Sequence, residues 1–144
     1  MSKARFKLIP AVHLLLIKDG KILLARRFQT GYEDGNYSVI AGLLNGNETV
    51  RAAMCREAWE EAAIKIEPTA LQLAHVMHRR AEDERIDFFF VAAHWQGEAI
   101  ITEPDKCDEL SWWELSQLPP NTVPYVRAAL ENFRQGSMYS EFGW

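Results

Sequence analysis

Cysteine is nearly absent from this chain of 144 residues. Cys55 and Cys107 are far apart and sit in no CxxC or Cys/His cluster, so they read as two reduced thiols in a cytosolic protein. Excess positive charge is missing too. The formal net charge is −4 and no basic stripe runs along any segment, which disfavours a groove for a nucleic acid polymer. Mild acidity leaves an anionic substrate open, because a bound cation reverses the field of an acidic site. Long apolar runs are lacking as well. Leu8 to Ile17, preceded by Lys3, Arg5 and Lys7, superficially resembles a secretory signal, but it contains Pro10 and His13 and no small-residue cleavage site follows. It is too short to span a bilayer. The expectation is a cytoplasmic protein with no membrane partner, and no repeat or low-complexity tract interrupts it.

What is present is apolar residue in quantity, 48% of the chain, enough for a sizeable core. The length suits one domain, 1–144. Ala11–Ile17 and Lys21–Ala25 flank Asp19-Gly20, a strong hairpin signal. Arg26–Asn36 reads as a surface loop, Tyr37–Ile40 as a short strand, and Thr49 as the N-cap of a helix reaching about Ala63. Leu71–His78 and Asp87–His94 are expected strands, the second nearly all apolar and so central, joined by a charged tip at Arg79–Arg85. Leu110–Trp113 is a further short strand and Leu115–Leu118 a turn of helix. Thr122–Arg134 has the spacing of an amphipathic helix, and the aromatic tail 136–144 is expected to be loosely held. Strands interleaved with two helices predict an α/β fold.

The informative stretch is AGLLNGNETVRAAMCREAWEEAAI, Ala41 to Ile64. On a helix, Glu57, Glu60 and Glu61 fall within an arc of roughly 100°. Like charges so close repel, and a cation among them restores the ionised forms. Hard oxygen ligands suit Mg²⁺ or Mn²⁺, which also take phosphate oxygens. Periodicity alone equally allows a solvated face, with Ala52, Met54, Cys55, Ala58 and Trp59 packed inward.

The full spacing goes further. Gly42, five residues, Glu48, seven residues, then Arg56-Glu57-Ala58-Trp59-Glu60-Glu61-Ala62-Ala63-Ile64 resembles the Nudix box of the Nudix hydrolase family, with Ala63 where the family has its second Gly. The Leu-Leu-Ala-Arg-Arg strand end before the box and the Trp-Trp-Glu-Leu segment after it resemble family features more loosely. The resemblance implies an α/β/α sandwich, a mixed sheet flanked by helices. It also implies Mg²⁺-dependent cleavage (Mn²⁺ as an alternative) of a phosphoanhydride in a nucleoside diphosphate linked to another group.

By that resemblance, Glu57, Glu60 and Glu61 are metal-binding carboxylates, one of them, usually the residue at Glu57, acting as general base. Glu48 is an outer ligand or orients Arg56. Arg56 holds the carboxylates by charge-assisted hydrogen bonds, and the Ala41 backbone approaches the metal beside Gly42. A left-handed Ala63 would cost roughly 1 kcal/mol, so the helix is expected to run on or end by another route.

Weaker substrate-side candidates are Arg27 (or Arg26) for a phosphate, Tyr37, Phe28, Trp112 or Trp113 for a base, and Glu109 as an additional acid. His75 and His78, three apart on a strand, point to opposite faces and disfavour a shared metal. Phe88–Phe90 are assigned to core. The partner expected is a nucleotide-type small molecule, the chain a monomer or homodimer. Within the class, a (deoxy)nucleoside triphosphate is favoured weakly, for want of an additional N-terminal domain. ADP-ribose, nucleotide sugars, a non-catalytic nucleotide-binding domain and a prenyl diphosphate isomerase stay open.

Overall fold

A computed structural model describes residues 4–144, so Lys3 of the basic N-terminal group lies outside the described residues. Its elements are β1 (Ile9–Leu15), β2 (Ile17–Lys18), β3 (Lys21–Arg27), β4 (Tyr37–Ser38), β5 (Ile40–Leu43), α1 (Val50–Ala62), a short 3-10 helix (Pro68–Ala70), β6 (Leu71–Arg80), β7 (Glu84–Ala92), β8 (Cys107–Glu114), α2 (Pro124–Arg134) and β9 (Tyr139–Phe142). A mixed sheet runs β5-β1-β7-β6-β9. A second, antiparallel sheet forms around β3, which pairs with β8 along its length and with β2 and β4 at its two ends.

Strand alternation sorts the core into two halves. Val12 and Leu14 of β1 and Phe90 and Ala92 of β7 meet Met54, Ala58 and Ala62 of α1. Leu15 and Phe89 point the other way, onto Val126, Ala129 and Leu130 of α2. The helices therefore cover opposite faces of the mixed sheet, giving the expected α/β/α sandwich with β7 at its centre.

Four expectations are corrected. The first apolar run does not stay in one hairpin: β1 joins the mixed sheet between β5 and β7, and only β2 turns back on β3. The Asp-Gly turn itself is present, with φ of 54° and 75° at Asp19 and Gly20. Leu115–Leu118 forms a turn and no helix. The tail is held, because β9 adds a parallel strand to β6 and His75 contacts both the Ser137 carbonyl (2.8 Å) and the Ser140 hydroxyl (2.7 Å). Finally, Ala63 caps α1 in the left-handed region at φ 56°, its N–H donating to the Trp59 carbonyl at 3.0 Å. The cap is kept because Ile64 must turn into the core, where it is fully buried. No helix of the described residues is long and apolar enough to cross a membrane.

Candidate active site

Helix α1 starts where Thr49 accepts a hydrogen bond from the Ala52 amide at 3.1 Å, satisfying one free N–H of the first turn. That start sets the rotation of the helix. Ala53, Met54, Ala58 and Ala62 are buried, whereas Ala52 and Trp59, expected inside, face out. The turn of the helix thereby carries Glu57 inward, to 9% exposure, so this glutamate is not part of a solvated face.

The pocket for Glu57 is provided by β5. Gly42 lies so close to the carboxyl that a Cβ on residue 42 would overlap its oxygens. One residue earlier, the Ala41 amide donates to Glu61 at 3.2 Å. Arg56 gathers the rest: its guanidinium donates to Glu48 at 2.8 and 3.1 Å, to Glu57 at 2.9 Å, to Glu60 at 3.2 Å and to the Leu43 carbonyl at 3.1 Å. Glu48 is tied in turn to the Asn45 amide at 2.8 Å. All the box residues singled out in the sequence thus meet between α1 and β5, Glu60 at the half-exposed rim.

Their electrostatics differ. Arg56 and the Asn45 amide hold Glu48 below the usual carboxylate range. Burial pushes Glu57 up, opposed by Arg56. Burial and the nearby Glu57 push Glu61 up to about 8. Two neighbouring acids, one buried and one half-buried, raised in this way, are those that a cation would return to their ionised forms. Among the described residues no three acidic, His or Cys side chains are already gathered tightly enough to ligate one ion. Glu57 and Glu60 are turned onto Arg56, and Glu61 onto the Ala41 amide. The donor set, hard carboxylate oxygens around a backbone cradle without a side chain, fits Mg²⁺ or Mn²⁺.

Two cavities flank Ala41. One, of about 180 Å³, is lined by Glu61, Glu103, Lys106, Cys107 and Arg27. The other, of about 440 Å³, is lined by Ala41, Gly42, Arg27, Tyr32, Arg79 and Tyr125 among others. Small-molecule sites run from about 300 Å³ upward, so the larger one is of ligand size.

Arg27 borders both cavities. Its guanidinium donates to the Tyr32 carbonyl at 2.6 Å and to Thr30 at 3.1 Å, and pairs with no carboxylate among the described residues. Tyr37 and Glu109 border neither, because the Tyr37 hydroxyl donates to Glu109 at 2.7 Å on the second sheet. Trp113 packs edge-on against Tyr37, and Phe28 and Trp112 also lie outside the cavities. Burial raises the thiol pKa of both Cys55 and Cys107.

No motif points to Glu103, which raises the pKa of both Glu57 and Glu61 from a loop beyond β7. Nor did the sequence single out Tyr32, Arg79 or Tyr125, which carry no motif and meet only through the sheet.

A family model described as NUDIX domain matches residues 7–133. The NAD-capped RNA hydrolase NudC of Escherichia coli (strain SMS-3-5 / SECEC) is 29% identical over 122 residues, covering 81% of this chain and 45% of that protein. The chain thus spans under half the length of the curated relatives it matches. A MutT NUDIX hydrolase from Burkholderia pseudomallei superposes with a TM-score of 0.80 at 28% identity, covering 88% of this chain and 98% of the other. A MutT protein from Methanosarcina mazei Go1 has the same fold, with a TM-score of 0.77 at 21% identity over 92% and 97% of the two chains. With the box, the sandwich and the matched length in agreement, this chain belongs to the Nudix family.

Proposed function

We propose that this protein is a divalent-metal-dependent hydrolase of a phosphoanhydride bond in a nucleoside diphosphate joined to a further group. The observation that carries this reading is the inward rotation of Glu57 onto Gly42, with Glu61 on the Ala41 amide. A structural helix gains nothing from turning two acids out of solvent, one fully and one in part, whereas a cation site needs them.

Glu57, Glu61 and the rim acid Glu60 would hold Mg²⁺ or Mn²⁺, with Glu48 fixing Arg56 behind them. When bound, such an ion would supply charge neutralisation for the phosphates and a more acidic water. Arg56 keeps the carboxylates in register by its shared hydrogen bonds. Gly42 leaves room for the diphosphate to approach the backbone. Arg27, with its unpaired charge between the two cavities, steadies a phosphate oxygen. A carboxylate of the cluster, Glu57 or the facing Glu103, accepts the proton from the attacking water.

Similarity to a NAD-capped RNA hydrolase and to MutT proteins supports pyrophosphate chemistry. Within it we favour a small nucleotide, a (deoxy)nucleoside triphosphate cut to monophosphate and pyrophosphate. The test is product release from nucleoside triphosphates, ADP-ribose, a nucleotide sugar, NAD and NAD-capped RNA, with Mg²⁺ or Mn²⁺. Cleavage of at least one, abolished by EDTA, is expected. No cleavage of any, or cleavage unchanged in the Glu57→Gln/Glu60→Gln double variant, would reject the reading.

A further inference from the structure

The larger cavity carries a recognition device that the cleavage chemistry does not use. Its floor is Arg79, at the end of β6, only 6% exposed. One edge of this guanidinium is spent on Asp87 of the neighbouring β7, with Nε donating at 2.7 Å and Nη2 at 3.3 Å. One face is spent on Tyr125 of α2, whose ring centroid lies 3.7 Å below the guanidinium carbon. The remaining nitrogen, Nη1, has no partner among the described residues and is not sealed from solvent. Since Arg79 lines the cavity, that donor edge is presented to whatever enters.

The charges around it select the kind of group. Arg79 is matched by Asp87, and Arg85 by Asp83 at 2.8 Å. Glu82 and Arg27 line the same cavity. His13, beside Asp87 and hydrogen-bonded to the Tyr125 hydroxyl at 3.0 Å, is buried and neutral, so it adds no charge. Apart from Arg27, which a phosphate oxygen occupies in the hydrolase reading, each arginine of the lining is matched by an aspartate, which leaves the Arg79 end suited to a neutral group. Tyr32 stands on the wall with Arg27 stacked on its ring at 5.2 Å, and offers a flat surface that is half exposed.

We propose that this cavity receives the purine base of the substrate, and that the free donor edge of Arg79 selects a 6-oxo purine over a 6-amino purine. Hydrogen-bond polarity sets the preference. A guanidinium has donors only. Guanine and hypoxanthine present two adjacent acceptors, O6 and N7, whereas adenine places an amino donor at position 6 against the arginine. Asp87 and Tyr125 fix the plane of the guanidinium, so it cannot turn away, and Tyr32 stacks on the base without reading it. The inference rests on the hydrolase reading for the identity of the substrate, with its phosphates over Ala41 and Gly42.

The test is equilibrium binding of GMP, IMP and AMP to the full chain in EDTA, by calorimetry, which needs neither metal nor turnover. GMP and IMP are expected to bind alike, and at least about five-fold more tightly than AMP. Arg79→Met/Asp87→Leu removes the donor edge together with the charge it is paired to, and should bring the ratio near one. If that variant fails to fold, Arg79→Gln/Asp87→Asn sets an acceptor beside a donor at the same place and should shift the preference towards AMP. Tyr32→Leu should weaken all three ligands and leave the ratio intact. AMP binding as well as GMP, or a preference that survives in a folded Arg79 variant, would overturn the inference. A chain that discriminates but hydrolyses nothing rejects the hydrolase reading alone, and a chain that hydrolyses without discriminating rejects this one alone.

Discussion

The backbone of Gly42 lies directly against the carboxyl of Glu57, leaving no room for a side chain between strand and helix. The relationship joins the first fixed residue of the sequence motif to its central acid. It predicts that Gly42→Ala retains the fold but displaces the Glu57 carboxyl. Since misplacing a reacting group by about 1 Å costs on the order of 100-fold in rate, turnover should fall by about that factor. Steady-state kinetics beside a thermal melt distinguish this from unfolding, and unchanged turnover in a folded variant would contradict it.

Arg56 is the second point of control, because a single guanidinium holds Glu48, Glu57, Glu60 and the Leu43 carbonyl. Lysine supplies one charge but not the fork. Arg56→Lys should therefore weaken metal affinity or turnover by about 10- to 100-fold, as loss of ligand-orienting partners does elsewhere. A metal titration of activity gives the result, and a loss below about threefold would argue against the positioning role.

Ala63 shows where reading the sequence succeeded and where it did not. The end of the helix was legible, and so was the cost of a left-handed alanine there, but not that the fold accepts this cost to bury Ile64. Ala63→Gly should stabilise the protein by roughly 0.5–1 kcal/mol, part of the relief being offset by the freer unfolded chain. For a chain of this size that is a melting temperature higher by about 2–4 °C, readable by calorimetry. A lower melting temperature would count against it.

The same lesson runs through the site. Arg56, Glu57, Glu60 and Glu61 were legible because their spacing lies within one helix. Glu103, Arg79 and Tyr125 were not, because a loop, a strand and the second helix contribute one each, and only the tertiary fold brings them to the cavities. The tail was misjudged for that reason too. Tyr139–Phe142 has little to bury, and its place depends on the open edge of β6 and on the His75 contacts. Ser140→Ala should accordingly cost roughly 1–2 kcal/mol by leaving the buried His75 nitrogen without its partner. Denaturant unfolding measures it, and a change under a few tenths would mean that the tail is held by pairing alone.

Two buried groups give opposite pH signatures. Glu61 has its pKa raised to about 8 by burial and by Glu57, so the metal-free folded chain keeps a proton that the unfolded chain has lost. Its stabilising contribution is complete below the ordinary value of 4.5 and is lost as pH rises through 8. His13, lowered to about 4 by burial, contributes above 6.5 and loses that contribution as pH falls towards 4. The two oppose each other where they overlap, so the interval from about 6.5 to 8 isolates Glu61. In EDTA, unfolding free energy should drop by roughly 1–2 kcal/mol across that interval in the parent chain and stay flat in Glu61→Gln. Metal should remove the drop, since its binding displaces the proton. A flat parent curve would place Glu61 in solvent.

The central assignment, a divalent cation held by Glu57 and Glu61 against the Ala41–Gly42 strand, is tested most directly by counting free Mn²⁺ with electron paramagnetic resonance as the protein is titrated. The parent chain should take up Mn²⁺, and the Glu57→Gln/Glu61→Gln variant, folded by its melting curve, should leave it free. Equal uptake by both, or none by the parent, would contradict the assignment.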